Sequence, residues 1–426
     1  MGALFRRNGR FRIFMGYEIF SALGGGIFSF FMLLSVHMLY GNALFTGVAG
    51  FLMAAPFVFS VVVGPLVDRG NKVAFMRATT FVEFVMLALL AFTPLLDALG
   101  VVFMFGVILV YSVAMLFEGP SATALLPQIV GEDDILQANS LMQIAAFAGG
   151  IGVAAILFFV LDENVNLHLI YGVSAGFVAS AFLFTLFLRD PSAKARAADA
   201  PKPRYWAELL AGAQFLRGNV LLYIGAAFLA KRIVVEIGAV NLPAFAEYHA
   251  GVAGYVLFAM LSMAGGIFAS ALVGSLGKQF AIGKLWLVLF VAAGVVRIFF
   301  VQLLPANFNA GLGILMLFAA LSAASNIIFS TMLQKLPPKD MIARISTLNT
   351  TVFAIFVALG ALVGGVIGRA VPNVDLIFMA QGVVYVVLGA ALYAVPSVRR
   401  LPKIDDIHRA ADPPAAPPFD EDTEDA

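Results

Sequence analysis

Apolar stretches of about 20 residues, separated by short polar or Gly/Pro-containing breaks, follow one another along nearly the whole chain. They fall near 12–39, 44–67, 73–96, 100–125, 138–161 and 166–188. After a polar stretch they resume near 219–244, 252–276, 283–304, 309–333, 344–368 and 374–396. Each has the length a helix needs to cross a hydrocarbon core of about 30 Å. Backbone polar groups in lipid must be satisfied within the segment, so runs of this length read as helices. The pattern predicts an all-α integral membrane protein of 12 transmembrane helices, numbered here span 1 to span 12 in chain order.

Internal matches divide the chain. Gly47-Val-Ala-Gly-Phe51 at the start of span 2 repeats as Gly251-Val-Ala-Gly-Tyr255 at the start of span 8, an offset of 204 residues. Gln128, Asp134 and Ser140 repeat without a gap as Gln334, Asp340 and Ser346, an offset of 206. Both pair span n with span n+6, which predicts a duplicated six-helix unit with a path between the two copies. The expected layout is an N-terminal bundle over 1–188, a cytoplasmic linker over 189–218, a C-terminal bundle over 219–396 and a disordered acidic tail over 397–426. Within the linker, Tyr205, Trp206, Leu209, Leu210, Ala213 and Leu216 recur at helical spacing, as in an amphipathic helix lying on a membrane surface.

Composition agrees with lipid as the solvent: 62% of residues are apolar, 12% are charged, and the mean hydropathy is +0.97. The net charge of +1 gives no reason to expect a nucleic-acid partner, but its placement is informative. The N-terminus, the even-numbered loops, the linker and the tail hold 22 of the 26 lysines and arginines, and the opposite loops hold only Arg369. The positive-inside rule therefore puts both termini in the cytoplasm of a cell membrane, most simply a bacterial plasma membrane. Arg6, Arg7, Arg10 and Arg12 resemble a signal n-region, but the run behind them is too long for a cleaved signal and reads as a retained span 1. There is no cysteine, and the four histidines (His37, His168, His249, His408) have no metal-ligand spacing, so no metal site is expected. No Walker A sequence is present, so ATP does not drive this chain directly, and no cofactor is implied.

Charges within the spans are few and costly: Glu18 in span 1, Glu83 in span 3, Glu118 in span 4, Lys231, Arg232 and Glu236 in span 7, and Arg297 in span 9. Glu18 lies one turn before Ser21 and near Gly24-Gly25-Gly26, and a carboxylate there could take up a proton as its surroundings dry. Arg232 and Glu236 are four residues apart on one helix face and are placed to neutralise each other. Lys231 is then left over, either to pair with a carboxylate of another span, Glu18 among them, or to contact an anionic part of a cargo.

Between spans 2 and 3 the chain reads Gly64-Pro-Leu-Val-Asp68-Arg69-Gly-Asn-Lys72. This resembles the loop signature G-x-L-x-D-R-x-G-R-[RK] of the major facilitator superfamily, although Gly70 follows Arg69 directly and a single Lys72 stands for the basic pair. Pro120-Ser-Ala-Thr-Ala-Leu-Leu-Pro127, Leu136-Gln-Ala-Asn139, Leu333-Gln-Lys335 and Ala343-Arg344-Ile-Ser346 are similar to the branch of that superfamily holding macrolide efflux proteins and the enterobactin exporter. The resemblance implies a proton-driven export carrier of small amphipathic molecules, monomeric in the bilayer, with spans 1, 4 and 7 bordering a central cavity and spans 3 and 9 peripheral. It implies a cytoplasmic gate of Gly64, Asp68, Arg69, Lys72 and Arg344, cavity residues Glu18, Lys231, Arg232 and Glu236, and proton carriers among Glu18, Glu236 and Glu118. The Gly-Pro pair that antiporters of the superfamily often carry in span 5 is here Ala148-Gly149-Gly150-Ile-Gly152, small residues without the proline. A lipid or lysolipid translocase of the same fold is the alternative. A membrane acyltransferase would need a His-x-x-x-x-Asp pair, and the nearest approach, His408 with Asp412, has the wrong spacing and lies in the tail.

Overall fold

The computed structural model of the protein describes residues 7–131, 166–190, 219–276 and 279–403, together with single residues and short pieces between these ranges. Among the described residues, ten helices are long and apolar enough to cross a membrane. They are span 1 (Gly9–Tyr40), span 2 (Ala43–Gly64), span 3 (Lys72–Ala91), span 4 (Leu99–Val130), span 6 (Leu167–Phe187), the stretch Val220–Ala269, span 9 (Ile282–Ala306), span 10 (Phe308–Lys335), span 11 (Ile345–Ala370) and span 12 (Val374–Tyr393). The long stretch is two helices that meet at Gly251 (φ 67°, ψ −174°), a left-handed conformation that favours glycine; its arms are spans 7 and 8. Most of span 5, most of the linker and residues 407–426 lie outside the described residues.

Local chemistry sets the helix ends. Asn8, Asn42, Asn71, Asn166, Asn307 and Asn373 each stand at a helix start with the side-chain oxygen accepting from a backbone N–H of the first turn. At the other end of span 6, the Arg77 guanidinium donates to the carbonyls of Thr185, Leu186 and Leu188 at 3.1, 3.3 and 3.0 Å, satisfying acceptors the helix itself leaves open. Span 2 is not the uninterrupted run its hydropathy predicts: Pro56 opens a 3₁₀ turn over Ala55–Phe59 before the helix resumes at Ser60. Span 3 stops at Ala91, short of its predicted end, because Phe92 is extended and a new helix starts at Thr93 with Pro94 in its first turn. The tail boundary also moves. Pro396–Arg399 is a short helix, and Val398 and Leu401 bury themselves beside Ile282 and Trp286 at the start of span 9.

Packing repeats between the halves. Span 1 packs on span 6, and span 3 on spans 4 and 6; in the second half span 7 packs on span 12, and span 9 on spans 10 and 12. Across the halves span 2 lies against span 11, while Gly150 of span 5 touches Met263 of span 8, the same contact with the halves exchanged. Span 2 meets span 11 at Gly47 and Gly365, so closely that a Cβ on Gly47 would stand 2.6 Å from the Gly365 Cα. At the end of the bundle away from the N-terminus, the Tyr255 hydroxyl donates to the Phe30 carbonyl (2.9 Å) and His37 meets Glu247 (2.8 Å). This end is closed by contacts between the halves. Phe59, Val102, Phe187, Val288 and Phe299 stand exposed on the outside, an apolar surface suited to lipid. Among the described residues the result is the all-helical fold expected from the repeats, two pseudo-symmetric bundles.

Candidate functional site

A cavity of about 500 Å³ lies between the two bundles, lined from spans 1, 2, 4, 7 and 11. Its wall is largely apolar, with Phe28, Phe57, Phe353, Met53 and Met115, and Ser29, Ser112 and Thr350 add hydroxyls. The charged groups on it are Arg232 and Glu236, which form an ion pair at 2.6 Å with both side chains mostly buried. The Arg232 guanidinium also lies 4.6 Å from the Phe353 ring centroid, over its face. Its Nε is buried without a hydrogen-bond partner among the described residues. Arg232→Met leaves the Glu236 carboxylate without its partner and is expected to lower stability, by less than the about 3–5 kcal/mol of a fully buried pair because both side chains keep some exposure. Arg232→Met with Glu236→Gln should recover most of that in thermal unfolding, since the lone buried charge is gone.

Lys231 follows a different course because the next residue along a helix points about 100° away. Its ammonium turns into the C-terminal bundle, donating to the Ser322 carbonyl (3.3 Å), Ser325 Oγ (3.0 Å) and Asn326 Oδ1 (2.8 Å) of span 10. The rings of Phe290 and Tyr385 face it at 5.4 and 5.6 Å. Neutral acceptors and aromatic faces hold this cation; among the described residues it meets neither Glu18 nor any other carboxylate, and it is not part of the central cavity wall.

The N-terminal bundle holds the opposite charge. Glu118 accepts from the Tyr17 hydroxyl at 2.5 Å and from the Ser21 hydroxyl. Glu83, buried on span 3, turns toward Glu118, and Glu18 stands close enough to interact with it. One oxygen of Glu18 and one of Glu83 are buried without a partner, and no cation pairs with any of the three among the described residues. Ser112, Met115 and Glu118 follow one another at three-residue spacing on span 4, and the first two line the central cavity, so the acid cluster begins one turn beyond its wall. Tyr111, stacked on Phe28 with centroids 3.7 Å apart, bridges the two regions. Ranking charged residues by span leaves Glu83 out of this cluster; a buried acid on the helix beside Glu118 was the available signal.

The loop between spans 2 and 3 is compact. The Gly70 N–H closes the preceding helix onto the Leu66 and Val67 carbonyls, and Lys72, buried, donates its backbone N–H to Asp190 at 2.9 Å. Gly64 stands in open space and Arg69 at the exposed helix end. The side chains of Asp68 and Arg344 lie outside the described set.

The sequence profile described as Major Facilitator Superfamily matches residues 18–361. No curated protein matches the sequence. Solved structures share the fold at low identity. The nucleoside transporter NupG superposes with a TM-score of 0.70 at 16% identity over 90% of this chain and 98% of that one. A bacterial homolog of the human lysosomal transporter Spinster, in an inward-facing and unoccupied conformation, gives 0.68 at 14% over 95% and 99%. A POT family transporter in complex with 5-aminolevulinic acid gives 0.68 at 10% over 92% and 97%.

Proposed function

The chain belongs to the Major Facilitator Superfamily and is a membrane transporter, and from that premise we propose that it exports an amphipathic small molecule by proton-coupled alternating access. The observation that carries this reading is the cavity between the bundles, about 500 Å³, with apolar walls and one ion pair. That volume and lining suit a drug-sized molecule with an apolar body and one polar or zwitterionic end, which the Arg232–Glu236 pair would meet. Cargo recognition falls to Arg232 and Glu236, while Lys231 fixes span 7 against span 10.

Proton coupling is assigned to Glu18 and Glu118, with Glu83 behind them. Three carboxyls packed together without a cation cannot all stay charged in a dry interior, so the cluster is a place to hold a proton. Tyr17 and Ser21 orient Glu118, and its position one turn from the cavity lets cargo occupancy and proton occupancy sense each other. Glu236, held by Arg232, is the less suitable carrier. With the cytoplasm on the N-terminal side, the closed end is external. We assign the cytoplasmic gate that closes in the other state to the segment Gly64 to Lys72 and Arg344.

Two experiments test the reading. In intact cells, residues 198 and 425 should be reachable only from the cytoplasm and Asn309 only from outside; external labelling of the linker would reverse the direction. In proteoliposomes, an imposed pH gradient should drive accumulation of members of a panel of fluorescent amphipathic compounds. Transport that ignores the gradient would remove proton coupling, and movement of fluorescent lysolipids alone would favour a lipid translocase.

A further inference from the structure

The C-terminal bundle contains a second cavity, about 190 Å³, enclosed by spans 7, 8, 9, 10 and 12. Span 7 separates it from the central cavity: Arg232 and Glu236 face one side, Val235 and Gly238 the other. Arg297 lines it, 5% exposed, the only charged side chain on its wall among the described residues. The guanidinium Nε donates to Gln381 Oε1 at 2.9 Å, and this is the single hydrogen bond it makes among the described residues. The rings of Phe318, Phe378 and Phe300 stand 4.6, 4.6 and 5.2 Å from it, and no carboxylate pairs with it among the described residues. A cation in a low-dielectric interior is costly without a counter-charge, and aromatic faces offset only part of that cost. Among the described residues the Nη donors have no hydrogen-bond partner.

We propose that this cavity is an anion site in which Arg297 binds a small planar monovalent oxyanion, separate from the central cavity. The volume corresponds to about six water molecules at the liquid volume of each, enough for a short carboxylate or nitrate with its water and too little for a drug-sized cargo. A planar oxyanion matches the guanidinium fork, and the phenylalanine rings accommodate the apolar end of a short carboxylate. The site also reaches span 7. Gln381, which accepts from Arg297, donates its Nε2 to the Val234 carbonyl at 3.0 Å, so anion occupancy is relayed to the helix that carries Arg232 and Glu236.

The test uses the full-length protein in nanodiscs of neutral lipid, with thermal unfolding followed while sodium acetate, nitrate or chloride is exchanged at constant ionic strength. The expected result is a saturable rise of the midpoint with acetate and nitrate that exceeds any rise with chloride. Arg297→Gln should weaken the apparent affinity by about tenfold or more, the effect of losing charge-assisted hydrogen bonds. Ser262→Met, which fills the cavity from span 8 and leaves Arg297 in the chain, should also abolish the response and serves if Arg297→Gln does not fold. A response to acetate alone narrows the ligand to a carboxylate. No oxyanion-specific rise in the wild type, or an undiminished rise in folded Ser262→Met, overturns the proposal.

Discussion

Glu118→Gln is expected to abolish accumulation driven by a pH gradient while leaving downhill movement of cargo in place. A gradient of one pH unit stores about 1.4 kcal/mol per proton, which for one-to-one exchange sustains about a tenfold concentration ratio. Glutamine keeps the size of the side chain and can still accept from Tyr17 and Ser21, whose hydroxyls reach Glu118 in the native protein. What it loses is the capacity to exchange a proton with the cluster. The expected ratio across the membrane therefore falls from about ten to about one in the same vesicles. Glu18→Gln should do the same, since its partnerless oxygen makes it the group best placed to pass the proton on. Preserved gradient-driven accumulation in both variants would move the coupling site out of the N-terminal bundle.

Gly47→Val should suppress transport by a different route. The branched side chain would drive into span 11, where a Cβ at this position already meets the Gly365 Cα at 2.6 Å and the Ala361 carbonyl oxygen at 2.8 Å. Forcing extra carbons into such a contact costs about 1–3 kcal/mol, which reduces the closed-end state by about fivefold to 150-fold. Each bundle's own packing is untouched, so the protein should still insert and fold. Turnover should fall to about a fifth or less, because a carrier that closes this end less often completes its cycle less often. Gly106→Val is the control: nothing lies within 4 Å of a Cβ there, and transport should be unaffected. A wild-type rate in Gly47→Val would show that spans 2 and 11 do not form a gate.

The spans were legible because the bilayer imposes one length on every crossing and the chain obeys it. The Arg232–Glu236 pair was legible for the same kind of reason, since four-residue spacing fixes a shared face whatever surrounds the helix. The direction in which each span turns was not legible. Helices that are apolar all round, with lipid on one side and protein on the other, show no amphipathic stripe to mark the inner face. Hence Lys231, next to Arg232, turned out to serve span 10, and Glu83 and Arg297, on spans expected to be peripheral, point into the interiors of their own bundles. The repeat shows a related limit. Gly47 and Gly251 match in sequence, yet one is a close-packing point inside a helix and the other a left-handed break between two helices. Sequence similarity located the duplication without telling which duty each copy of a residue had kept.

The claim on which the account rests is that the two bundles change their separation around the central cavity and that the acid cluster biases the change. The chain has no cysteine, so a single pair introduced as Leu39→Cys and Tyr248→Cys can be spin-labelled without background. These positions are exposed at the ends of spans 1 and 7, on either side of the His37–Glu247 contact. Pulsed dipolar distance measurements in nanodiscs should resolve a short and a long population in the otherwise wild-type protein, an altered ratio in Glu118→Gln, and a dominant long distance in Gly47→Val. One narrow short distance, identical in all three proteins, would contradict it.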